Sequence, residues 1–156
     1  HGESRLIFVG DGRCRPSLED QARNCGLASR VVFAGVMPDV RPVLRLTDVL
    51  VLPTTEREGL SVALVEGLCA GIPLVGSRLG GIPEVVEDGV NGLLVEPRNA
   101  GDLSRALDTL LRKPELRERM GSAGRAIYDR KFTLTRMMEQ IHALYEEEMT
   151  RAYHAS

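Results

Sequence analysis

The sequence predicts a single α/β domain with a parallel sheet covered on both faces. Three observations carry that expectation. Short apolar runs alternate with stretches of helical periodicity, at least one run is apolar without alternation, and glycines recur where runs end. A strand buried on both faces should be apolar throughout, and Val49-Leu50-Val51-Leu52 reads that way, which makes it the expected central strand.

In chain order the apolar runs are 5–9, 30–34, 49–52, 73–76 and 92–95, each taken as a strand. Helical patterns fall between them at 16–25, 40–46 and 62–70, with Asp39 placed to cap the second and Gly71 to stop the third. Beyond Val95 the pattern is helical only, at 100–111, 114–130 and 134–152, so these helices are expected to pack outside the sheet. The expected organisation is one domain over 1–156, with an α/β core to about 130 and a C-terminal helix over 131–156. Together these features describe a Rossmann-like build.

Composition narrows the ligand. Twenty Lys and Arg against 22 Asp and Glu leave a net charge of -2, which provides no broad cationic field for nucleic acid or an anionic membrane. The three cysteines, Cys14, Cys25 and Cys69, lack the spacing of a zinc site or a disulfide framework and read as reduced thiols, pointing to the cytoplasm. No apolar run approaches the roughly twenty residues that cross a bilayer. The chain opens at His1-Gly2 without Met, which suggests a piece of a longer protein.

In open parallel sheets, ligands sit beyond the carboxyl ends of the strands. The glycine-bearing loops fall at those ends: Gly10-Asp11-Gly12, Gly35-Val36-Met37-Pro38, Pro53 to Ser61, and Gly76 to Gly81. Any one of them could serve only a tight turn. The most informative stretch follows the third strand, where a nearly wholly small or apolar helix from Val62 carries one carboxylate, Glu66. If that helix is buried on most sides, Glu66 needs a hydrogen-bond donor, either a ligand hydroxyl or a neighbouring arginine or backbone segment. Glu58 lies in the loop feeding the same helix, Gly59 allows close backbone approach, and Ser61 is placed as N-cap. The helix start is suited to a diphosphate.

These residues carry a resemblance. Glu58-Gly59-Leu60-Ser61 through Glu66-Gly67-Leu68-Cys69-Ala70-Gly71-Ile72-Pro73-Leu74-Val75 is similar to the signature of the retaining glycosyltransferase family 4, whose members have the GT-B fold. Phe8-Val9-Gly10-Asp11-Gly12, Val32-Phe33-Ala34-Gly35, Asp48-Val49 through Pro53, and Gly80-Gly81-Ile82-Pro83-Glu84-Val85-Val86 with Asp88-Gly89-Val90-Asn91-Gly92 resemble the second domain of that family in order and spacing, to about Arg130.

The resemblance implies a donor-binding domain for a nucleotide-diphosphate sugar. It assigns Glu58 to the transferred sugar and Glu66 to the ribose, turns the loop amides of Gly59, Leu60, Ser61 and Val62 toward sugar and diphosphate, and sets Val36 and Met37 beside the base, with Gly10 among the binding residues. It implies neither a cofactor nor a metal. Two parts of the family pattern have no counterpart here: an Arg and Lys pair after the domain's first strand, and the N-terminal acceptor domain with its important His, for which His1, His142 and His154 are no substitutes. That missing domain is the expected partner, and peripheral membrane association through it stays open. Alternative readings are a nucleotide-sugar-binding module without activity of its own, and an epimerase of the same architecture. A phosphorylase is weaker, since Lys113 and Lys131, both in the helical tail, are the only lysines available to carry its cofactor.

The last helix presents Leu134, Met137, Met138, Ile141, Leu144, Tyr145 and Met149 at helical spacing. It is expected to pack on the missing domain or on the core, since Glu146-Glu147-Glu148 disfavours anionic lipid. Arg112, Lys113, Arg117, Arg119, Arg125, Arg130 and Lys131 read as solvated faces diluted by acids.

Overall fold

The computed structural model describes residues 4–57 and 59–154, with the side chains of 152–154 left out. Glu58 and His1 therefore lie outside the described residues, as does the side chain of His154. Five strands and seven helices follow in the order β1 (Leu6–Val9), α1 (Arg15–Asn24), β2 (Val31–Gly35), α2 (Arg41–Leu44), β3 (Leu50–Leu52), α3 (Val62–Cys69), β4 (Leu74–Ser77), α4 (Ile82–Val85), β5 (Gly92–Val95), α5 (Ala100–Arg112), α6 (Pro114–Lys131) and α7 (Leu134–His154). The strands form two parallel sheets, β1-β2 and β3-β4-β5. The chain divides into two compact units, 1–43 and 44–156.

In the first unit β1 and β2 pair in register from Leu6 with Val31 to Phe8 with Phe33, then shift by one residue at Val9. Phe8 and Phe33 stack across the pair with ring centroids 5.0 Å apart. Arg15 opens α1 by bonding Glu19 at 2.8 Å, Asp11 at 3.1 Å and the Phe33 carbonyl at 3.3 Å, which ties the helix start to β2. Asp39 accepts from the Arg41 amide at 3.0 Å, the capping role its position suggests.

The second unit holds the core. Leu74 and Val75 are consecutive in β4 and point to opposite faces, as strand alternation requires. On the Leu74 side lie Leu64 and Leu68 of α3, Ile82 and Val85 of α4, and Ile127 of α6. On the Val75 side lie Val95, Ala106 and Leu110 of α5, and Met120 of α6. Each fully buried leucine among these contributes roughly 1.5–3 kcal/mol from lost apolar hydration. Asn91 is wholly buried between β4 and β5, where its amide donates to Val85 O and its oxygen accepts from Glu87 N, both at 2.8 Å. Those two bonds satisfy the group and pin the turn into β5.

Two expectations change. Within the three-stranded sheet the central strand is β4, with β3 at one side. Its four residues are buried while those of β3 are half-buried, because β4 contains glycine and serine yet is packed by helices on both faces. Apolar content alone misplaced the centre. The short helix α4 is also an addition, since Pro83 within Gly-Gly-Ile-Pro reads as a loop from composition but sits in the first turn, where its missing N–H costs nothing. The C-terminal basic residues are mostly paired: Arg112 with Asp108, Arg125 with Asp129, and Lys131 with Glu87.

Gly121 of α6 passes so close to the α3 C-terminal turn that a Cβ there would run into the Gly71 carbonyl oxygen. Gly71 itself holds φ +71°, as a helix stop demands. Replacing Gly121 by Ala should cost about 1–3 kcal/mol of stability by overpacking. Thermal unfolding checks this against Gly12→Ala, whose Cβ would meet nothing within 4 Å.

Candidate functional site

Helix α3 starts just beyond the carboxyl end of β3. Its placement on the sheet is set by Gly67, where a Cβ would come within 2.6 Å of Leu50 Cδ2 and 2.8 Å of Leu74 Cδ2. With Leu64, Gly67 and Leu68 buried against the sheet, the opposite stripe of Val62, Ala63, Glu66 and Ala70 is exposed. Glu66 is therefore open to solvent, which corrects the expectation of a buried carboxylate. The helix has one buried face, and its apolar composition made it read as buried on most sides. No burial penalty compels Glu66 to find a donor. It makes no hydrogen bond or ion pair among the described residues, so its carboxylate stands available on an open helix face.

The N-terminus of α3 is similarly open. The first helical bond runs from Val65 N to Ser61 O at 3.2 Å, which leaves the amides of Val62, Ala63 and Leu64 ahead of it. Ser61 holds the N-cap position with extended backbone, φ -79° and ψ 111°, but its side chain makes no cap bond. The capping expectation fails in its chemistry though not in its place, and the helix start keeps donors that a cap would have used. Val62 is 69% exposed and Leu60 53% exposed. The structure thus brings Gly59, Leu60, Ser61, Val62 and Glu66 together on one helix and the loop feeding it. In the first unit Gly10 donates to Gly35 O at 2.7 Å, and Val36, 77% exposed, and half-buried Met37 follow β2 directly.

One contributor was not singled out from sequence. Gly81, buried after β4, approaches the Gly59-Leu60 backbone so closely that a Cβ would lie 2.7 Å from Gly59 O and 3.2 Å from Leu60 N. The glycine pair Gly80-Gly81 was the available signal, but only the fold shows which backbone it meets. His142 pairs with Glu146 at 3.2 Å on an exposed face, apart from these loops in sequence and in role. Among the described residues no three His, Cys, Asp or Glu side chains cluster as metal ligands, and no helix is long and apolar enough to cross a membrane. Gly81→Ala should displace the Gly59-Leu60 loop while leaving the distant core intact. Amide shifts in NMR spectra should move at Gly59 to Val62 and stay put at Leu107 to Leu110; unmoved loop amides would show that the contact positions nothing.

The family model for glycosyl transferases group 1 matches residues 1–127. The chain is 31% identical over 145 residues to the putative glycosyltransferase EpsD of Bacillus subtilis, covering 93% of this chain and 38% of that protein. It is 31% identical over 147 residues to alpha-D-kanosaminyltransferase of Streptomyces kanamyceticus, again covering 93% of this chain and 38% of the relative. Among solved structures it superposes on Anabaena Alr3699/HepE in complex with UDP with a TM-score of 0.87 at 27% identity, over 92% of this chain and 41% of that one. The same Anabaena protein in complex with UDP-glucose gives a TM-score of 0.85 at 28% identity. The chain therefore spans about two fifths of the length of the relatives it matches. Its Rossmann-like α/β architecture is that of GT-B glycosyltransferases, and the family match over most of its length makes it a member of the glycosyl transferases group 1 family.

Proposed function

We propose that this chain is the donor-binding domain of a retaining glycosyltransferase of family 4, which moves a hexose from a nucleotide-diphosphate sugar to an acceptor hydroxyl. The observation that carries the reading is Glu66, an unpaired carboxylate on the open stripe of α3, one turn from a helix start with free amides. A carboxylate accepts from two vicinal ribose hydroxyls, and the amides of Val62, Ala63 and Leu64 with the positive end of the helix dipole suit the diphosphate. The Anabaena relative in complex with UDP and with UDP-glucose supports a nucleotide-diphosphate donor.

In this reading the Glu58 carboxylate faces the transferred sugar and stabilises the positive charge that develops at its ring. The α3 amides receive the charge of the departing diphosphate, a contribution that grows as the bond breaks and so lowers the barrier. Gly59, Leu60 and Ser61 line the sugar side, Val36 and Met37 the base, and Gly10 a neighbouring loop. No cofactor or metal is part of the proposal. The acceptor domain of the longer protein is the partner of the exposed apolar row on α7, where Leu134, Met138 and Met149 are 70%, 56% and 73% exposed. The reading places the protein in the cytoplasm, with membrane association only through that domain.

A second reading has the chain bind the donor without turning it over. Its span of about two fifths of its relatives favours this for the chain by itself. Isothermal titration with uridine and guanosine diphosphates and their hexose conjugates tests both. Glu66→Ala should weaken nucleotide binding by about 1.5–3 kcal/mol, the worth of hydrogen bonds to a charged group. Equal affinity in wild type and variant would remove Glu66 from the site. In the longer protein Glu58→Ala should cut transfer by about tenfold or more while nucleotide affinity stays within about twofold. Rapid donor hydrolysis by this chain alone would contradict the binding-module reading.

A further inference from the structure

A cavity of about 230 Å³ opens at the carboxyl ends of β3, β4 and β5, where none of Gly59 to Glu66 reaches. Its volume matches that of about eight waters in the liquid. Thr55, Ser77, Val95, Glu96, Arg98 and Asn99 contribute to its walls. Two features mark it as more than a surface dent. Ser77 is only 2% exposed, yet its hydroxyl has no partner among the described residues. Every fully occluded side-chain polar atom there does have a partner, so this hydroxyl opens onto the cavity. Buried hydroxyls are normally bonded, and here the missing partner would have to come from a ligand or solvent. Arg98 is also the one described non-glycine residue with positive φ, at 60°. An arginine held in the left-handed region is strained, and such strain gathers at ligand sites. Its guanidinium makes no ion pair among the described residues.

The wall chemistry selects the ligand. Asn99 Oδ1 accepts from Asp102 N at 3.0 Å, leaving the carboxamide N–H groups as donors. The guanidinium donates, the Glu96 carboxylate accepts, and the Ser77 and Thr55 hydroxyls do both. Formal charge sums to zero across the wall, and Glu96 with neighbouring Asp102, which accepts from Glu96 N at 2.8 Å, repels a bare anion. Val95 supplies an apolar surface for C–H groups. We propose that this cavity binds a neutral polyhydroxyl ligand, a single sugar ring. The site shares no residue with the donor reading and does not rest on it.

NMR titration of the chain with glucose, mannose and N-acetylglucosamine at millimolar concentration tests this. At least one sugar should produce saturable amide shifts at Ser77 and over Glu96 to Ala100. Arg98→Gly should weaken that binding by about tenfold and Ser77→Ala by about fivefold, in line with a charge-assisted and a neutral hydrogen bond. Arg98→Gly relieves the positive φ, so its melting temperature should hold or rise, which separates lost binding from lost fold. Shifts with inorganic phosphate and none with sugars, no saturable shift at all, or undiminished sugar binding in both variants would each overturn the proposal. Uridine diphosphate, followed at Gly59 to Leu64, reports on the donor reading separately.

Discussion

Everything proposed for the donor site depends on how closely α3 lies on the sheet. Gly67 leaves no room for a Cβ beneath Leu50 and Leu74, and Leu64 and Leu68 fill the flanking space. That contact fixes the rotation of the helix about its own axis. A residue beside Gly67 is turned by about 100°, so Glu66 must face outward if Gly67 faces in. Packing energy thereby sets the direction of a carboxylate, and the same contact sets where the free amides of the first turn begin.

The surrounding structure reinforces that placement. Gly71 ends α3 and Gly121 of α6 presses against its turn, while Gly81 presses on the loop before it. Three glycines thus bring backbone against backbone around one short helix. The interior of this unit is dense because small residues were placed where elements cross, and its polar exception, Asn91, is fully bonded. A helix start held from both ends is preorganised for an anion, since little need move when the ligand arrives.

Much of this was legible in the residues. The alternation of apolar runs and helical periods located every strand and six of the seven helices to within a few residues, and Asp39 and Gly71 marked real helix ends. The misreadings share a cause. Val49 to Leu52 looked central because it is wholly apolar, but burial of β4 is imposed by its neighbours and not by its own Gly76 and Ser77. Glu66 looked buried because its helix is apolar, yet an eight-residue helix with small residues on its outer stripe can be greasy and still open. Ser61 was in place as a cap and did not bond. The reach of Gly81 to Gly59 and the cavity beside Ser77 join residues distant in sequence, and no local pattern encodes either.

The most direct test is a crystal structure of the chain with a bound nucleoside diphosphate. The ribose hydroxyls should lie within about 3.2 Å of the Glu66 carboxylate, with phosphate oxygens on the amides of Val62 to Leu64. A nucleotide bound elsewhere, or a Glu66 side chain turned onto an arginine beside an occupied site, would contradict the account.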